Sequence, residues 1–167
     1  MDLYFLRHGL AGQHGDPKYK DDSLRPLTKE GKHKLIAAAQ GMKRLRLKFD
    51  LVLTSPYLRA KQTAEIIAEA YKIKSQKIEL TDNLLPPASA KQLLAEIRHR
   101  FPKAQKILLA GHEPHMTELM SELLKSNRHL NIDFKKGGLG LLSIEKDPTD
   151  GTLQWLLTPE QLSYLAS

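Results

Sequence analysis

Cysteine is absent from all 167 residues. That excludes disulfides, thiolate nucleophiles and cysteine-ligated zinc, and it fits a reducing compartment. Aromatic residues are scarce, 6% of the chain with a single Trp. With no basic stripe interleaved with aromatics, the footprint of a nucleic-acid binder is missing. No apolar run approaches the roughly 20 residues of a membrane helix, and no basic leader precedes an apolar core. The expectation is a soluble cytosolic protein with neither membrane nor nucleic acid as partner. Acidic residues are the minority charge, 19 Asp and Glu against 26 Lys and Arg, for a net +7. The excess is spread along Lys43-Arg44-Leu45-Arg46 and Arg98-His99-Arg100 and favours anionic partners in general. No acidic cluster is placed for a metal and no glycine-rich loop carries the lysine of a P-loop; neither metal nor cofactor is expected.

What the chain does have is short apolar runs separated by helical periodicity. Leu3–Leu6, Leu51–Leu53 and Ile107–Ala110 lack polar alternation, as strands covered on both faces do. Between them, Thr28 predicts a helix N-cap, with Leu35, Ala39, Met42 and Leu45 at helical spacing. Ser55-Pro56 predicts a second helix, Ser55 capping and Pro56 at the first position, running to about Tyr71 with Ala60, Ala64, Ile67 and Ala70 inward. A third spans about Ser89 to Arg100 through Leu93, Leu94 and Ile97. A fourth starts near Glu113-Pro114 and runs through Leu119, Leu123 and Leu124. Gly138–Ile144 and Thr152–Leu157 read as a hairpin turning near Asp150-Gly151. The expected fold is α/β, a three-layer sandwich with a mostly parallel sheet between helices and a C-terminal β-hairpin. One domain over residues 1–167 suffices at this length. His14–Ser23 is one long polar loop, of the kind that is uncommon unless functional or mobile.

Chemistry concentrates where the apolar runs end. Arg7-His8-Gly9, Ser55-Pro56-Tyr57-Leu58-Arg59-Ala60 and Gly111-His112-Glu113-Pro114 each follow a predicted strand, and ligands of open α/β sheets bind at strand carboxyl ends. Brought together, they supply two guanidiniums, two imidazoles and two helix N-termini, a set that suits a phosphate-sized anion. An imidazole held through one nitrogen can attack phosphorus with the other. A second can donate to the transferring phosphoryl group.

Arg7-His8-Gly9, then Ser55-Pro56-x-x-Arg59-Ala60-x-Gln62-Thr63, then Gly111-His112 together resemble the histidine phosphatase (phosphoglycerate mutase-like) superfamily. The short length and Leu24-Arg25-Pro26-Leu27-Thr28 further resemble its SixA branch of small phosphohistidine phosphatases. The resemblance implies His8 as the phosphorylated nucleophile. It implies Arg7, Arg59 and His112 as the phosphate pocket and catalytic set, with Arg25 as a further cationic contact. It implies no cofactor and no metal, and as partner a phosphorylated protein, such as a histidine phosphotransfer domain, or a small phosphorylated substrate.

Larger relatives place a proton-donating glutamate after the strand that follows the Ser-Pro helix. Here that position falls on Asn83, whose amide cannot protonate a leaving group. The candidates are Asp22, favoured by the SixA-like resemblance around it, Asp82, Glu113 or no acid at all. Glu113 reads better as a charge partner of the following helix, Gln62 and Thr63 as supporting groups, and His14 as solvent-exposed. His112 and His115 have metal-compatible spacing, but Pro114 between them and the missing acidic partner speak against zinc. Two other functions stay open: a small-molecule phosphomonoesterase or mutase, and a non-catalytic anion-binding or interaction module.

Overall fold

A computed structural model describes residues 1–74, 77–145 and 151–166. Its centre is one six-stranded sheet in the order β3-β2-β4-β1-β5-β6. The strands are β1 (Asp2–Arg7), β2 (Leu51–Thr54), β3 (Ile78–Leu80), β4 (Lys106–Gly111), β5 (Leu139–Ile144) and β6 (Gly151–Leu157). The first four run parallel, while β5 pairs antiparallel with β1 and β6 antiparallel with β5. The helices are α1 (Lys29–Arg44), α2 (Leu58–Tyr71), α3 (Ala90–Arg100), α4 (His115–Leu123) and α5 (Pro159–Tyr164).

Side chains alternate across a strand, and here both directions meet helices. Leu3, Phe5, Leu53 and Leu109 pack on one face with Leu93, Ile97 and Leu119 of α3 and α4. Tyr4, Leu6, Val52 and Leu108 pack on the other with Ala38, Met42 and Ile67 of α1 and α2 and Leu162 of α5. Two apolar cores, one above and one below, are why the strands read as unbroken hydrophobic runs. The three-layer sandwich and the hairpin of β5 and β6 match the sequence expectation. Of the turn expected near Asp150-Gly151, Gly151 opens β6 and Asp150 lies outside the described residues.

Local chemistry explains most boundaries. Thr28 accepts from Gly31 N at the start of α1, and Ser89 forms a reciprocal capping box with Gln92 at α3. Two expectations need correction. Ser55 does not cap α2: the helix starts at Leu58 after Tyr57, which makes no side-chain cap, because the Ser55 hydroxyl is committed elsewhere. Leu45 closes α1 with its side chain 38% exposed rather than inward, since the helix has run past the core by then. Ala70, near the end of α2, is half-buried and packs against the core as expected. Two elements were not anticipated, the three-residue edge strand β3 and helix α5. The latter carries a readable signal, Thr158-Pro159-Glu160-Gln161, which forms a capping box with proline in the first turn. Helix α5 sits close against α1 because Gly41 has no side chain; a Cβ there would lie 1.8 Å from the Leu162 carbonyl oxygen.

Candidate active site

Strand register decides which side chains meet. Arg7 of β1 pairs with Gly111 of β4, and Thr54 of β2 pairs with Ala110 of β4. The residues that follow, His8, His112 and Ser55, therefore leave adjacent strand ends, spaced roughly 4.8 Å apart. His8 N donates to Gly111 O at 2.9 Å and Ser55 N to Ala110 O at 3.0 Å, extending the ladder one step. The His8 and His112 rings face each other with centroids 5.1 Å apart. Both are buried, 5% and 7% exposed.

Each ring is held through one nitrogen. His8 Nδ1 donates to Gly9 O at 2.7 Å, which puts the proton on Nδ1 and leaves Nε2 with a free lone pair. Ser55 Oγ accepts from Tyr57 N at 3.3 Å and lies 2.7 Å from His112 Nε2. The hydroxyl proton of Ser55 needs an acceptor, and His112 Nε2 is the one in reach. Neutral His112 then carries its proton on Nδ1, an atom buried without a partner. Burial is the main cause that pushes both imidazoles down to about 3; His112 is the next charge acting on His8 after its hydrogen bond to Gly9, and Arg59 the next on His112. At neutral pH both rings are uncharged.

Three guanidiniums surround the pair. Arg7 NH1 donates to Phe134 O at 2.5 Å, and Arg25 NH1 to Gly12 O at 2.6 Å. Arg59, in the first turn of α2 and 6% exposed, lies with its guanidinium 5.0 Å over the Tyr57 ring. Burial lowers the pKa of Arg7 and of Arg59. Arg7, His8, Arg25, Arg59 and His112 line one hollow of about 480 Å³. Arg7 Nε, Arg59 Nε and His112 Nδ1 are buried polar atoms there without a hydrogen-bond partner, and buried donors of that kind are normally satisfied. All three belong to residues that line the hollow, and an oxyanion is the kind of acceptor they lack. Among the described residues no group of three or more His, Asp or Glu is arranged to hold a metal ion.

The structure brings Asp22 to this hollow, where two arginines already engage its carboxylate. Its Oδ1 accepts from Arg25 Nε at 2.8 Å and lies 3.0 Å from His14 Nδ1; Oδ2 lies 3.0 Å from Arg59 NH2. Its backbone carbonyl accepts from Arg59 NH1 at 2.8 Å. The hydrogen bond from Arg25 holds the carboxyl well below the usual carboxylate range, which favours its ionised form. Glu113 is also occupied: its two oxygens accept from Thr117 N at 3.1 Å and Thr117 Oγ1 at 2.7 Å, capping α4. Asp82 is exposed and outside the hollow. The amide of Asn83 donates to Glu96 Oε2 at 2.7 Å, on the α3 side.

Supporting groups fall where their types suggest. Thr63 Oγ1 accepts from Gly9 N at 3.1 Å and donates to Arg59 O at 2.7 Å, tying the His8 turn to α2. Gln62 Oε1 accepts from Leu27 N, anchoring the segment that holds Arg25. His14 is exposed as expected yet touches Asp22. His115 is buried away from the hollow, Nε2 3.4 Å from Asn83 O. Among the charged residues that line the hollow, the one missed is Lys136. Its signal is Lys135-Lys136-Gly137-Gly138, a basic pair before a glycine turn, but nothing local ties that turn to His8.

Residues 3–85 match the histidine phosphatase superfamily (branch 1). An uncharacterized protein of Picosynechococcus sp. is 36% identical over 168 residues, covering 97% of this chain and 99% of that protein. The Escherichia coli phosphohistidine phosphatase SixA is 25% identical over 160 residues, 95% of this chain and 94% of that one. The solved structure of the protein histidine phosphatase SixA complexed with tungstate superposes with a TM-score of 0.83 at 25% identity, covering 97% and 99% of the two chains. The chain belongs to the histidine phosphatase superfamily. Within that family its likeness is to the SixA branch, and it is a histidine-type phosphatase.

The Ser55 contact makes a prediction. Ser55→Ala is expected to lower kcat about tenfold with KM little changed, because one neutral hydrogen bond that fixes a tautomer is worth about 1.4 kcal/mol. Nitrogen NMR of His112 reads the cause: the proton on Nδ1 in the wild type should redistribute toward Nε2 in the variant. An unchanged tautomer would remove Ser55 from this role.

Proposed function

We propose that this protein is a metal-independent phosphatase that works through phosphorylated His8 and acts on phosphohistidine carried by a protein. In the first step His8 Nε2 attacks phosphorus in line, the new P–N bond forming as the bond to the leaving group breaks. Arg7, Arg25 and Arg59 take up charge on the equatorial oxygens and His112 Nδ1–H donates to one of them. In the second step water attacks the phosphorus and the bond to His8 breaks, releasing inorganic phosphate. Asp22 orients Arg25 and Arg59 in this scheme and carries no proton. The observation that supports the reading above all is the pair of neutral imidazoles 5.1 Å apart inside a ring of guanidiniums.

The choice of an N–P substrate rests on the state of the acids. An alkyl phosphate expels an alkoxide and needs a proton from a neighbouring acid, whereas a phosphohistidine with a protonated ring leaves as neutral imidazole. Asp22 is held ionised and Glu113 is bonded to Thr117, so both carboxylates at the hollow are engaged. The relatives named SixA are described as phosphohistidine phosphatases, in keeping with this choice.

The test is a comparison of kcat/KM for a phosphorylated histidine phosphotransfer domain and for simple alkyl phosphates. A preference of roughly a hundredfold for the phosphohistidine, about 3 kcal/mol of barrier, is expected. Equal values would transfer the assignment to small phosphomonoesters.

A further inference from the structure

Lys136 enters the hollow from a segment that the strand ends themselves hold in place. Arg7 N donates to Gly138 O at 3.2 Å, and Gly137 N is shared between Arg7 O and His8 O at 3.0 and 3.1 Å. Arg7 NH1 reaches Phe134 O, so residues 134–138 are stapled to the end of β1. Gly137 turns there with φ +80°, a backbone conformation that an L side chain strains. The neighbour Lys135 is neutralised by Asp133, Nζ to Oδ2 2.5 Å. Lys136 makes no hydrogen bond or ion pair among the described residues, although it is half-buried.

Count the charges that line the hollow. Arg7, Arg25, Arg59 and Lys136 are cations, and Asp22 and Glu113 are carboxylates. His8 and His112 are neutral, and exposed His14 sits against Asp22. The balance is two positive charges, and without Lys136 it would be one. A fourth cation costs something: burial, then Arg7, Arg25 and Arg59, press the ammonium toward its neutral form. Such crowding is relieved by a ligand of matching opposite charge.

We propose that Lys136 sets the preference of this hollow for a doubly charged phosphoryl group over a singly charged one. The inference rests on the oxyanion-binding reading of the site and adds to it the charge state of what binds. Its physical content is Coulomb's law: one added unit charge interacts twice as strongly with a dianion as with a monoanion at the same distance. In logarithmic terms, removing the charge costs the dianion twice what it costs the monoanion.

Tungstate and perrhenate are tetrahedral oxyanions of similar size carrying two and one negative charges. Their dissociation constants are measured by calorimetry at pH 8 and low ionic strength, where the screening length is long, on wild type, Lys136→Met and Lys136→Arg. Lys136→Met should weaken tungstate about tenfold and perrhenate about threefold, a twofold ratio of logarithms. Lys136→Arg should keep the wild-type preference, and it keeps the test alive if the Met variant melts early. Equal loss for both anions would mean that Lys136 acts by contact or shape, and no loss would mean it does not act on the anion; either overturns the proposal. Wild type that binds neither anion and hydrolyses no aryl phosphate would instead overturn the reading of the site as a phosphatase centre.

Discussion

His8→Ala should lose essentially all turnover, by about 10⁴-fold or more, the scale seen when a covalent nucleophile is removed. The same variant should still fold and still bind tungstate. The reason is a division of labour visible in the geometry. In the proposed scheme the anion is held by Arg7, Arg25, Arg59 and His112, whose positions come from Phe134 O, Gly12 O, Asp22 and Ser55. None of those contacts passes through the His8 ring, whose hydrogen bond is to its own neighbour, Gly9 O. Wild-type enzyme quenched during turnover of a labelled aryl phosphate should carry acid-labile phosphate, and peptide mapping should find it on His8. Turnover that survives in His8→Ala, or label on His112 instead, would reverse the assignment of the nucleophile.

The sequence made the central frame legible because the determinants are local and strong. Apolar runs ending in Arg7-His8 and Gly111-His112 mark buried parallel strands, and parallel pairing leaves their ends side by side; the 5.1 Å between rings follows from register rather than chance. Thr28 and Ser89 announce helices through hydroxyl caps that the structure keeps. What could not be read depends on contacts between distant segments. Asp22 looks like a free acid in a polar loop; its carboxyl is held low by Arg25, by His14 and by Arg59, which lies 37 residues away in sequence. Ser55 looks like a helix cap because Ser-Pro commonly is one, and only the arrival of His112 claims its hydroxyl. Lys136 has no local mark of function; its place comes from the pairing of β5 with β1. Edge strand β3 is too short, at three half-exposed residues, to show any period.

Acid should destabilise this protein at a milder pH than carboxylate chemistry alone would set. Both His8 and His112 are lowered by burial from 6.5 to about 3 in the folded chain. As pH falls through 6.5, the rings take up protons in the unfolded chain but not in the folded one. Stability is therefore complete above about pH 6.5, declines below it, and stops declining near pH 3, where the folded rings titrate as well. Between pH 6.5 and 5 each ring costs roughly 1.6 kcal/mol, so the pair removes about 3 kcal/mol, a large share of an ordinary domain's stability. Asp22 acts in a separate window: its carboxyl, held below the usual 3.8, loses its contribution only as pH drops under about 4. Urea unfolding at pH 8, 6.5 and 5 measures the slope, and His8→Gln or His112→Gln should each remove about half of it. Perrhenate, which stays a monomeric tetrahedral anion in acid, should recover much of the loss when added at pH 5, because a ligand bound only by the folded state adds its binding free energy and its charge favours protonated imidazole. A stability that stays flat from pH 8 to 5 would mean that water reaches both rings, and a hydrated pair of histidines would not be held neutral for attack on phosphorus.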